Sequence, residues 1–124
     1  MAVTSVELPL VYACSGCSSA AQMANHVALQ LDRRGVAQMS CIAGVGGDVA
    51  PLVRLAASGR RIVAIDGCAL ACVRHCLARH DIVAERHVLL QEMGVKKQYH
   101  ADFDPQKAEQ VVRHLMIELQ ELAA

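Results

Sequence analysis

Short β-branched runs alternate with helix-patterned stretches along this chain, and that order leaves few folds open. Leu8 to Ala13 reads as a buried strand, with Pro9 near its start, where a missing donor is tolerated. Ser19-Ala20-Ala21-Gln22 fits a capping box opening a helix, whose apolar positions Met23, Val27 and Leu31 recur at helical spacing beside Ala20, Ala24 and Ala28. Arg33 and Arg34 suit that helix's negative end, and Gly35 is its expected stop. A second strand is expected from Val36 to Ala43. The glycine-rich turn Gly44-Val45-Gly46-Gly47 follows, then Asp48 as N-cap of a short helix ending at Ser58-Gly59. Arg61 to Asp66 is a third strand, turning at Gly67 into Cys68 and a helix from about Ala69 to Arg79. A fourth strand is expected over Arg86 to Gln91, with a polar loop from Glu92 to Phe103. The last helix opens on Asp104-Pro105 and packs through Ala108, Val111, Val112, Leu115, Leu119 and Leu122.

Four β-α units in succession predict a mainly parallel sheet of about four strands with helices on both faces, a three-layer α/β arrangement of the Rossmann-like or flavodoxin-like kind. With 124 residues and no linker, low-complexity tract or internal repeat, the whole of residues 1–124 reads as a single domain.

Composition narrows the function. Aromatic residues are limited to Tyr12, Tyr99 and Phe103, too few to build a stacking platform for single-stranded nucleic acid. Twelve basic residues balance twelve acidic ones, so there is no electrostatic footprint for a phosphate backbone. No apolar run approaches the ~20 residues of a membrane span. The segment Met1 to Ala13 carries Glu7 and lacks a basic start, so it reads as a first strand and not a leader. The expectation is a cytoplasmic chain that uses neither nucleic acid nor membrane as a partner. A protein partner or a homodimer is left open. In a reducing compartment, clustered thiols point to metal binding or catalysis and away from a disulfide framework.

The six cysteines are placed by the strand order. Cys14 follows the first strand, Cys41 ends the second and Cys68 follows the third, so all three belong to the sheet's carboxyl edge, where open parallel sheets bind ligands. Cys17 lies in the turn that opens the first helix, while Cys72 and Cys76 lie one and two turns beyond Cys68. If strands one and three are neighbours, Cys14, Cys17, Cys68 and Cys72 can converge. Four thiolates from two short-spaced pairs are a common zinc site, with Zn–S of about 2.3 Å. Nearby helix N-termini favour the thiolate form. Iron–sulfur chemistry also takes four thiolates, although Cys68-x-x-x-Cys72-x-x-x-Cys76 matches neither common ferredoxin spacing. A thiol–disulfide or sulfur-transfer enzyme using Cys14 and Cys17 is the other alternative, since C-x-x-C between strand and helix is the thioredoxin arrangement. That reading leaves the second cysteine cluster without a role.

Cys41 reads either as a site neighbour or as a core residue, and Cys76 as an extra thiol. His75, three residues beyond Cys72, and His100, in the loop after the fourth strand on the cysteine edge, could be ligands or acid–base groups, but an exposed histidine is the simpler reading. Asp66 is placed to bond backbone amides beside the site or to act as a turn former. The glycine-rich turn at 44–47 offers backbone donors to an anion, or only close packing for a short helix. The loop Lys96 to Asp102 is read as solvated, with a covering role over the site as the alternative.

Three segments together resemble one known family: Tyr12-Ala13-Cys14-Ser15-Gly16-Cys17-Ser18, Met39 to Gly47, and Ala64-Ile65-Asp66-Gly67-Cys68-Ala69-Leu70-Ala71-Cys72. The chain resembles the DGC-domain family of small proteins regarded as zinc-binding, which takes its name from the motif at Asp66-Gly67-Cys68. The resemblance implies four recurrent cysteines as zinc ligands, falling on Cys14, Cys17, Cys68 and Cys72. The family pattern often has proline at the position of Ala69 and commonly lacks a cysteine at Cys76, which marks Cys76 as additional. The resemblance supplies no reaction.

Overall fold

In a computed structural model of the chain, which describes residues 7–123, the strands are β1 (Leu10–Ala13), β2 (Gln38–Met39), β3 (Ile62–Asp66) and β4 (Arg86–Leu89). The helices are α1 (Ser19–Arg33), α2 (Ile42–Gly46), α3 (Ala50–Ala56), α4 (Cys72–Ala78) and α5 (Pro105–Ala123), with a 3-10 turn at Leu90–Met93. All pairings are parallel and the order is β2-β1-β3-β4. This is the flavodoxin-like order, and the expected α/β fold is the one observed. Residues 1–6 of the predicted first segment lie outside the described residues, as does the side chain of Leu122.

Every residue of β1 and β3 is buried, which a two-sided cover of helices requires. The helices form two groups: α1 packs on α5, and α2 packs on α3 and α4. The core joins Leu10, Tyr12, Ile65 and Val88 of the sheet to Met23, Val27 and Leu31 of α1 and to Val111, Val112 and Leu115 of α5. Among the described residues no helix is long and apolar enough to cross a membrane.

Several boundaries differ from the sequence expectation, each for a local reason. The N-cap of α1 is Ser18, whose hydroxyl accepts from the Ala21 amide at 3.1 Å, so the capping serine precedes the expected Ser19 by one residue. At the other end Gly35 does stop the helix, with φ of 72°. The second strand is only two residues long instead of running from Val36 to Ala43. Gln38 donates to Pro9, just before β1, and Ser40 to Val11 within it, but the outward-facing Met39 amide donates to the Asp32 carboxylate at 2.9 Å. The chain then enters α2 at once, so residues 44–46 are a helical turn and not an open glycine loop. Asp48 is not an N-cap, because Val49 holds that position in α3. Its carboxylate instead pairs with Arg79 at 2.7 Å and His80 at 3.1 Å, tying the α2–α3 turn to the end of α4. The helix expected from Ala69 begins at Cys72, and β4 ends at Leu89 where the 3-10 turn takes over. The expected opening of α5 holds: the Asp104 carboxylate accepts from the Gln106 amide at 2.9 Å.

One exposed ion network fastens α1 to α5. Glu109 accepts from Arg34 at 2.7 and 3.0 Å and from Arg113 at 3.0 Å, and these bonds pull its carboxyl down to about 2. A carboxyl lowered on folding stabilises the native state above its free value of 4.5, and that stabilisation is lost as pH falls through about 2. Glu109→Gln is therefore expected to lower stability slightly at neutral pH. The difference from wild type should close between pH 4.5 and about 2, as read by urea unfolding at each pH.

Candidate functional site

β1 connects to β2 on one side while β3 lies on its other side, so the strand order reverses between β1 and β3. Helices leave in opposite directions at such a point and their first turns part to open a crevice. Here that crevice is a cavity of about 220 Å³, and Cys14, Cys17, Cys68 and Cys72 all line it. Two residues of the 96–102 loop, Lys97 and Tyr99, complete the wall.

The Asp66-Gly67-Cys68 segment builds one side. Asp66 ends β3 with its side chain 1% exposed, and its two oxygens are fully employed. Oδ1 accepts from the Val73 amide at 2.8 Å, and Oδ2 accepts from the Arg74 amide at 3.3 Å and lies 2.8 Å from Nε2 of His87 on β4. A carboxylate from the sheet thus does for α4 what an N-cap side chain would do, since Ala71 at that position offers none and sits in the left-handed region with φ of 52°. Gly67 follows because nothing larger fits: a Cβ there would stand 2.7 Å from the backbone of Ala20 in α1. Its amide donates to the Cys14 sulfur at 3.2 Å, which links the two halves of the cavity directly.

The four thiols differ in character. Cys14 is buried, and burial above all pushes its thiol up to about 11; the Gly67 amide eases this, while the charges of Asp66, Cys72 and Cys68 add to it. Cys17 and Cys72 are exposed and Cys68 is half-buried. The Lys97 ammonium lies 3.4 Å from the Cys68 sulfur and 5.2 Å from the centre of the Tyr99 ring. Tyr99 first, and then Cys68, hold that ammonium above the usual lysine value.

The remaining candidates fall elsewhere. Cys41 lines a separate cavity of about 630 Å³ with Ser15, Asp32, Ser40 and Leu52. Cys76 is half-buried against Gly46, where a Cβ would come within 2.9 Å of its sulfur, and the Cys72 charge raises it after burial does. His75 and His100 are exposed and neither lines the cysteine cavity. Among the described residues no three His, Cys, Asp or Glu side chains stand in a metal-coordinating arrangement. Sequence reasoning gave too little weight to Lys97 and Tyr99, whose only signal was a loop placed at the same sheet edge.

Fold and cavity together define a flavodoxin-like α/β protein with a cysteine-lined crevice at its switch point. A family model described as the DGC domain matches residues 10–115, and the chain belongs to the DGC-domain family. The anaerobic and virulence modulator AnvM of Pseudomonas aeruginosa is a relative, 59% identical over 115 residues that cover 93% of this chain and 85% of AnvM. No solved structure matches the chain.

Two outcomes follow from this geometry. Asp66→Asn removes the charge that caps α4 and is expected to cost about 1.5–3 kcal/mol in urea unfolding, more than a surface substitution. In metal-free protein at mildly alkaline pH, Cys14 should be the slowest of the six cysteines to take up iodoacetamide, as read by peptide mass spectrometry.

Proposed function

We propose that this chain is a zinc-binding protein whose ligands are Cys14, Cys17, Cys68 and Cys72, with a role in metal handling, sensing or partner interaction. One observation carries the reading: the four cysteines, from two distant segments, line one small cavity. The donor set suits the ion, because zinc takes four thiolates in a closed tetrahedron. The surroundings suit it too. The Gly67 amide already donates to one sulfur, and the Lys97 ammonium offsets part of the negative charge that four thiolates carry beyond the ion's own. The ion would supply structure, joining the C-terminal ends of β1 and β3 across the crevice.

The sulfur-transfer or thiol–disulfide alternative asks for a reactive thiolate at Cys14 or Cys17. Burial of Cys14 weighs against that role for it, since an acceptor or mixed-disulfide partner would have to reach its sulfur. The name of the Pseudomonas aeruginosa relative speaks of modulation, which favours a regulatory partner over a substrate for this chain as well. An iron–sulfur cluster uses the same four sulfurs and is separated from zinc by colour.

Protein purified without oxygen should carry about one zinc ion per chain and show the site cysteines protected from thiol reagents. Serine at any one of Cys14, Cys17, Cys68 or Cys72 should cut metal content sharply, while Cys41→Ser and Cys76→Ser retain it. A colourless, metal-free preparation in which all six thiols titrate freely would overturn the reading. Brown protein with visible absorbance would replace zinc with iron–sulfur.

A further inference from the structure

The loop after the 3-10 turn is fixed by one serine. Ser19, 3% exposed at the start of α1, makes three bonds to it. The Ser19 amide donates to the Gln98 carbonyl at 2.8 Å, the Gln98 amide donates to the Ser19 hydroxyl at 2.9 Å, and that hydroxyl donates to the Lys96 carbonyl at 3.3 Å. Lys97 lies between the two clasped residues, and its side chain leaves the clasp for the cavity, where its ammonium meets the Cys68 sulfur. Tyr99, two residues beyond Lys97, lies beside that ammonium and lines the same cavity. Ser19 stands two residues beyond Cys17, so this short segment touches both cysteine-bearing halves of the crevice.

We propose that residues 96–99 are a strap fastening the Cys14/Cys17 half of the site to the Cys68/Cys72 half, with Ser19 and Lys97 as its positioning residues. The clasp needs a hydroxyl at position 19, because the same oxygen accepts from Gln98 and donates to Lys96. The strap needs a long donor side chain at position 97, because its other end rests on the Cys68 sulfur, 3.4 Å from the Lys97 ammonium. Ser19 acts through the backbone of the strap and Lys97 through Cys68. Neither is a metal ligand. The strap's effect on metal retention rests on the zinc reading above; the strap itself does not.

The test uses the full chain in two arms. In metal-free protein, trypsin cleavage after Lys96 and Lys97 reports opening of the strap, as does hydrogen exchange at the Gln98 amide. Ser19→Ala should speed both by about 5-fold or more, since the hydroxyl's two bonds are lost. In the zinc-loaded protein, Ser19→Ala and Lys97→Met should release metal to a chromogenic chelator about 10-fold faster than wild type, and Lys97→Arg should restore slow release. Wild-type cleavage and exchange rates in Ser19→Ala would overturn the strap. Equal release from Lys97→Met and wild type would overturn the role of Lys97. If Ser19→Ala does not fold, the wild-type chain decides: its Gln98 amide should exchange at least about 10-fold slower than that of His100, and equal rates would overturn the clasp. A wild-type chain that takes up no zinc sinks the zinc reading, and the metal-free arm still judges the strap.

Discussion

The Asp66 carboxylate is the interaction on which the site depends. It sits at the end of a buried strand with almost no access to water, where an unpartnered charge would be costly. Its partners therefore have to be in place: two amides at the start of α4 and the imidazole of His87 on the neighbouring strand. Meeting that demand sets where α4 begins, and so where Cys72 stands relative to Cys68. It also joins β3 to β4 through side chains as well as through the sheet ladder. The next residue, Gly67, turns the same strand end against the backbone of α1 and reaches Cys14 with its amide. The three letters of the family motif thus divide the work: one carboxylate to seat a helix, one missing side chain to allow contact, one sulfur for the cavity.

The topology explains why two motifs so far apart in sequence share a cavity. A chain that moves outward from β1 to β2 and returns to the opposite side at β3 leaves the carboxyl ends of β1 and β3 as neighbours without a helix crossing over them. Many flavodoxin-like proteins place an organic ligand in such a gap. Here the gap is small, about 220 Å³, and lined by thiols.

The order of elements, the parallel sheet and the gathering of Cys14, Cys17, Cys68 and Cys72 were all legible in the sequence, because each follows from periodicity, turn chemistry and strand-end geometry. What was not legible is what depends on partners remote in sequence. The start of α4 is set by a carboxylate on β3, so the propensity of Ala69 to Ala71 misplaces it. The second strand, expected over Val36 to Ala43, is cut short because the chain turns helical at Ile42. The choice between Ser18 and Ser19 as cap rests on which hydroxyl is free, and Ser19 is taken by the strap. Lys97 carries no periodic signal at all, since its role comes from reach and not from a repeating pattern.

The bond from the Met39 amide to Asp32 has a consequence beyond the length of β2. A parallel sheet ends in a row of unsatisfied main-chain groups, and an exposed row of that kind templates pairing with another chain. At this border β2 presents one outward amide, and the carboxylate of α1 already holds it, with Arg33 in turn beside that carboxylate at 2.8 Å. A strand arriving from a second molecule would meet an ion-paired carboxylate in place of a free donor. Sheet extension through this amide would first have to break the Asp32 bond, at a flank that lies next to the open cavity containing Cys41.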